Sequence, residues 1–228
     1  MNYDVTIHEE LTTAELADLL ESSADFLHYI GHADEEGFRC VDGHLDADSL
    51  ESVGVEAFLL NACRSYEQGA KLVEKGSTGG VVTLAEVVNS AATKVGRALA
   101  RLLNSGFSLR SALSIAVKEV LVSIEYVTIG DGGLSLCEGD SGGLVKFDIK
   151  RVGSEYLISH YSYPSSSYRL GTLAKFMDEE TTRHLASGLL DTFRVSEKEL
   201  NSILDVQFAP VEVDNKLYWS NEISLSDL

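Results

Sequence analysis

Three observations in the sequence predict an α/β fold with a mostly parallel sheet flanked by helices, followed by a smaller mixed strand and helix appendage. Four short apolar runs, near 25–31, 55–62, 79–84 and 124–129, have the length and composition of strands covered on both faces. Stretches with helical spacing lie between them, and strands that alternate with helices build parallel sheets. After Gly130 the pattern changes to Gly-rich turns between short alternating runs, which read as hairpins. The expected division is 1–135 for the α/β domain and 136–228 for a strand-rich carboxyl-terminal region.

Each element has a local reason. Asp4-Val5-Thr6-Ile7-His8 alternates and predicts a short strand; Thr12 with Glu15 three places on is a capping box that opens a helix bearing Leu16, Leu19 and Leu20. The first buried strand then ends at Gly31, which puts His32 at its carboxyl end. Residues 34–54 carry glycines, many acids and little periodicity, so a loop is expected there, with a short helix over 47–53. The second strand leads into Cys63. Ser65 and Gln68 form another capping-box pattern, opening a helix that stops near Gly76. Strand 79–84 precedes helices over 90–104 and 108–120 and a fourth parallel strand, 124–129. Farther on, 144–150 and 155–163 predict a hairpin. Ser196 and Glu199 cap a helix through Leu204, and Asp214-Asn215 turns a last hairpin that includes Trp219.

Composition bounds the function. With 228 residues and 44% hydrophobic side chains the chain can bury a core, and its 36 acidic residues against 18 basic ones leave a net charge of -18. A phosphate-binding surface needs clustered cations, so nucleic acid is not expected as a ligand. Cys40, Cys63 and Cys137 are too few and too dispersed for a disulfide framework, no signal peptide is evident, and no apolar run approaches the roughly 18 residues of a membrane span. A cytoplasmic protein that does not engage membranes is expected.

Chemistry concentrates in residues 24–69. In parallel sheets ligands bind at the carboxyl ends of the strands, and His32 and Cys63 are both expected there. A cysteine attacks a carbonyl as thiolate, a form favoured by a helix amino terminus or a nearby imidazolium, and both are expected around Cys63. A histidine on a neighbouring strand end can hold the proton and return it to the leaving amine, while backbone N–H groups near Cys63 and after Gly31 can receive the oxyanion. The residues alone leave this open against a buried, inert thiol and an ordinary turn histidine.

Tyr29-Ile30-Gly31-His32-Ala33 followed by Phe58-Leu59-Leu60-Asn61-Ala62-Cys63-Arg64-Ser65 resembles the His and Cys motifs of CHAT domains, the caspase-like and separase-like cysteine peptidase group. The resemblance continues through Gly79-Gly80-Val81-Val82-Thr83-Leu84, Val88, Asn89, Ala92, Leu102-Leu103-Asn104-Ser105-Gly106 and Ala112, and spans about 22–130. It implies a caspase-like sheet and a cysteine endopeptidase acting on a protein substrate, with His32 as general base, Cys63 as nucleophile, the amides of Ala33 and Cys63 as oxyanion donors, and no cofactor. It departs from the family at Ala33, where many caspase-like enzymes have Gly, and ahead of the first motif, where the family has further strands. The implied protein is therefore a carboxyl-terminal piece or a reduced form whose sheet edge is completed by a missing amino-terminal portion or a partner protein. A catalytically weak or inactive signalling or interaction module is the alternative implied by these departures.

Other constellations are weaker. Cys137-Glu138-Gly139-Asp140-Ser141-Gly142-Gly143 is similar to the nucleophile loop of trypsin-like peptidases, but the disulfides, the all-strand body and the upstream histidine context are missing, so a hairpin turn is favoured. His28, His32, Cys40, His44 and Cys63 offer zinc-type donors without Cys-x-x-Cys spacing, and no metal is expected. Asp131-Gly132-Gly133 reads as a turn, and His160 and His184 as structural or surface residues.

Overall fold

A computed structural model describes residues 4–86, 89–119, 125–139, 143–165, 171–176, 178–206 and 208–224. The chain divides into two compact units, one holding 1–104 and 108–136 and the other 105–107 and 137–228.

The first unit is an α/β layer structure. It runs α1 (Thr13–Glu21), β1 (Ala24–Ile30), β2 (Ala33–Asp34), β3 (Gly37–Cys40), β4 (Gly43–Leu45), β5 (Val55–Asn61), α2 (Tyr66–Glu74), β6 (Gly79–Thr83), α3 (Asn89–Asn104), α4 (Leu109–Ala116) and β7 (Tyr126–Gly130). The central sheet has the order β1-β5-β6-β7, with the first three strands parallel. One face carries Leu27, Phe58, Leu60 and Val82 in a core with Leu16 and Leu20 of α1 and Leu72 of α2. On the other face α3 passes so close that a Cβ on Gly96 would stand 2.8 Å from the His28 ring.

Four expectations are corrected in this unit. Residues 4–8 form no strand, and among the described residues β1 is an edge strand, mostly exposed rather than covered on both faces. The expected loop over 34–54 contains most of a small antiparallel sheet, β2-β3-β4, and a 3₁₀ turn at Ala47–Ser49 in place of a helix. Gly37 allows that sheet its tight turn: its φ is +130° and a Cβ would meet the Leu45 carbonyl oxygen at 2.3 Å. The last strand, β7, is antiparallel to β6. Two helices separate them, so the chain crosses the sheet down α3 and back along α4, and enters β7 from the end at which it left β6. The start of that strand as expected, at Ile124, lies outside the described residues.

The second unit is strand-rich, as expected. It contains β8 (Leu144–Val152), β9 (Glu155–Tyr163), β10 (Leu173–Phe176), β11 (Asp178–His184), β12 (Gly188–Val195), α5 (Glu197–Val206), β13 (Pro210–Val213) and β14 (Lys216–Trp219). Five strands in the order β12-β9-β8-β13-β14 bury Phe147, Ile149, Ile158 and Val211 against Leu200, Ile203 and Leu204 of α5. Ser196 and Glu199 exchange capping hydrogen bonds at the start of α5. Asp214 and Asn215 both take positive φ, 48° and 61°, as a two-residue hairpin turn requires. Lys146 is fully buried and pairs with Asp148 and with Glu212, the latter at 2.6 Å.

Candidate functional site

The register of β1 against β5 brings the two motif residues to one rim. Phe26 lies beside Ala57 and Ile30 beside Asn61, and His32 and Cys63 each follow two residues after that last pair. The Gly31 N–H donates to the Asn61 carbonyl at 3.5 Å and carries the pairing one step further. His32 is exposed and Cys63 half-buried.

Cys63 sits in the turn from β5 into α2, and β6 fastens that turn. The Thr83 hydroxyl donates to the Ala62 carbonyl. The Ser65 hydroxyl donates to the Leu60 carbonyl at 3.1 Å and accepts the Thr83 N–H at 3.0 Å, while the Ser65 N–H reaches Thr83 Oγ1 at 3.4 Å. Arg64 takes a left-handed φ of 52° and donates its N–H to the Ala85 carbonyl at 3.3 Å. A non-glycine residue in that conformation costs about 1–2 kcal/mol, which the surrounding hydrogen bonds offset. Here the capping-box expectation is corrected. Ser65 occupies the cap position of α2 but makes no side-chain cap, because its hydroxyl is engaged in the turn. Gln68 instead accepts the Ala47 N–H at 2.9 Å and donates to the Asp34 carbonyl at 3.3 Å.

The histidine side is built differently. The His32 carbonyl accepts the Arg39 N–H at 2.9 Å and the Tyr29 hydroxyl at 2.8 Å. Burial pushes the Tyr29 phenol up to about 12, so it remains a donor. Ala33 is buried and opens β2 opposite Phe38. Because Arg39 bonds His32, alternation along an antiparallel pair turns the Ala33 N–H away from β3.

Beneath the rim lies a polar row built on Asn61, to which the sequence assigns no chemical role. Asn61 donates through Nδ2 to the Ala92 carbonyl at 3.0 Å and contacts His28 Nε2 at 3.1 Å, and its Oδ1 accepts the Tyr126 hydroxyl. Since a carbonyl only accepts and Tyr126 donates to Oδ1, Nδ2 must be the amide nitrogen and His28 Nε2 the acceptor, which fixes the proton on Nδ1. Burial of the ring lowers the His28 pKa, consistent with this neutral tautomer, although β1 leaves the residue's outer side exposed. A polar residue inside the run Phe58-Leu59-Leu60-Asn61-Ala62 was the available signal, because a buried amide must find partners.

The remaining candidates fall elsewhere. Among the described residues no three His, Cys, Asp or Glu side chains gather as a metal site, and no disulfide is formed. His44 faces Glu36 at 3.6 Å. Asp131 accepts the Gly133 N–H at 2.8 Å in a local turn. Residues 140–142 of the Gly-rich loop lie outside the described residues. His160 is buried beside Phe147, and His184 Nδ1 lies 3.0 Å from the Gly171 carbonyl.

No family model matches the chain, and no curated protein matches its sequence. Among solved structures it is similar to the complex of Porphyromonas gingivalis RgpB pro- and mature domains, with 11% identity and a TM-score of 0.47 over 83% of this chain and 50% of that one. The chain thus spans half the length of that neighbour. No helix among the described residues is long and apolar enough to cross a membrane.

Proposed function

We propose that the first unit is a caspase-like cysteine endopeptidase of the CHAT group, with His32 and Cys63 as its dyad. The observation that carries this reading is the parallel register of β1 and β5, in which both residues follow the same strand pair. In the reaction His32 takes the Cys63 proton, and the thiolate attacks the peptide carbonyl. The amides of Ala33 and Cys63 receive the oxyanion, His32 returns the proton to the leaving amine, and water hydrolyses the thioester. The net charge of -18 favours basic protein substrates through steering.

The test is peptide-resolved labelling with an electrophilic thiol probe, since Cys40 and Cys137 also carry thiols. Cys63 should label at least tenfold faster in the parent than in His32→Ala, and mapping of new protein termini should lose its signal in Cys63→Ala. Equal Cys63 labelling in parent and His32→Ala refutes the dyad. A second reading, an interaction module with little turnover, draws on the exposed outer edge of β1. It predicts no new termini in either chain.

A further inference from the structure

The amino-terminal arm and the outer edge of the sheet are complementary. Residues 4–8, Asp-Val-Thr-Ile-His, alternate as a strand does, yet they form no element, and Val5 and Ile7 are 69% and 80% exposed. The chain after the arm is anchored. The Leu11 carbonyl accepts the Val41 N–H at 3.0 Å, the Thr13 N–H donates to Asp42 at 2.8 Å, and Thr12 and Glu15 cap α1. Between arm and anchor Glu10 takes a φ of 53°, a left-handed turn that glutamate seldom adopts.

The edge opposite is β1. Its sequence, Ala24-Asp25-Phe26-Leu27-His28-Tyr29-Ile30, is that of an interior strand, but among the described residues its outer side has no strand beside it, and Ile30 is 72% exposed. Unprotected apolar edges of this kind accept strands.

Chirality selects what fits there. Helices α1 and α2 pack on the same face of the sheet, and α2 links β5 to the parallel neighbour β6. A strand at 4–8, followed by α1 and then β1, is a strand-helix-strand unit, and its connection of 9–23 is long enough for a parallel crossover. With α1 on that face, the crossover is right-handed, as nearly all are, only if the added strand lies on the outer side of β1.

We propose that residues 4–8 of a second copy of this chain add to the outer edge of β1, parallel to it, in a reciprocal exchange that forms a two-fold dimer. Each arm stands exposed and unpaired on its own body, and exchange supplies to each β1 the strand that its own α1 would otherwise deliver. Two bodies of charge -18 repel at low ionic strength, so the dimer strengthens as salt rises to physiological levels.

The test is sedimentation of the parent chain and of two arm variants, Ile7→Pro and Val5→Lys/Ile7→Lys, at low and at physiological salt. Proline disfavours pairing along an edge and lysine opposes burial, and because the arm is exposed both variants keep the circular dichroism of the parent. The parent should dimerise, more tightly at physiological salt, and the variants should dimerise at least tenfold more weakly. A parent that stays monomeric from micromolar to hundred-micromolar concentration overturns the proposal. So does a dimer that both variants leave intact, and so does a monomer whose 5–8 amides resist hydrogen exchange, which would seat the arm on its own edge.

Discussion

Removing either partner of the Asn61–Tyr126 hydrogen bond should destabilise the first unit, and removing both should cost less than the sum. In Asn61→Ala the buried Tyr126 hydroxyl loses its acceptor, while the Ala92 carbonyl and His28 Nε2 lose a donor. An unsatisfied buried hydroxyl costs about 1–3 kcal/mol, and the space left by the amide adds about 1 kcal/mol, giving roughly 2–4 kcal/mol. Tyr126→Phe leaves Asn61 Oδ1 without its donor but keeps the Nδ2 contacts, so about 1–2 kcal/mol is expected. The pair interacts directly, so the double variant should fall short of additivity by about 1 kcal/mol. Urea denaturation followed by far-ultraviolet circular dichroism, which is weighted towards the helices of the first unit, measures all four corners of the cycle. Additivity within about 0.3 kcal/mol would show that the hydroxyl and the amide do not share a bond.

Two further outcomes follow from charge. His28 has its pKa lowered in the fold, so the unfolded chain binds the extra proton first; this contribution to stability is present above the ordinary histidine range and is lost as pH falls through the folded value. The parent should therefore lose more stability than His28→Gln between about pH 7 and pH 5, as read by urea midpoints, and parallel losses would refute it. In the second unit, Lys146→Met strands the carboxylates of Asp148 and Glu212 on a buried face and should cost about 3 kcal/mol, whereas Lys146→Met combined with Asp148→Asn and Glu212→Gln should recover much of it. Trp219, in the same sheet, reports this by fluorescence; no recovery in the triple variant would refute the ion-pair account.

The legible parts of this fold were those governed by local rules. The apolar runs, the helical spacing, the capping boxes at Thr12 and Ser196 and the Asp214-Asn215 turn each encode an element within a few residues of itself. What escaped the sequence depends on long-range placement. The alternation at 4–8 describes a strand but cannot supply a neighbour, and the run at 24–30 reads as interior although its position in the strand order makes it an edge. The reversal of β7 follows from two intervening helices rather than from its own residues. Ser65 shows the same limit within the candidate site: its spacing to Gln68 matches a capping box, but Thr83 and Leu60, distant in sequence or on the preceding strand, claim its hydroxyl.

The two halves of the rim differ in how they are held. Four hydrogen bonds fasten the Cys63 turn to β6 and to the loop after it, inside the sheet, whereas the strand that carries His32 is the outermost one. The thiol's turn is thus tied into the interior of the sheet, while the segment bearing His32 leaves the outer strand and is held at its carbonyl by the Arg39 N–H and the Tyr29 hydroxyl. A strand laid along β1 would therefore lie on the histidine's side of the rim and not beside the turn that holds the thiol.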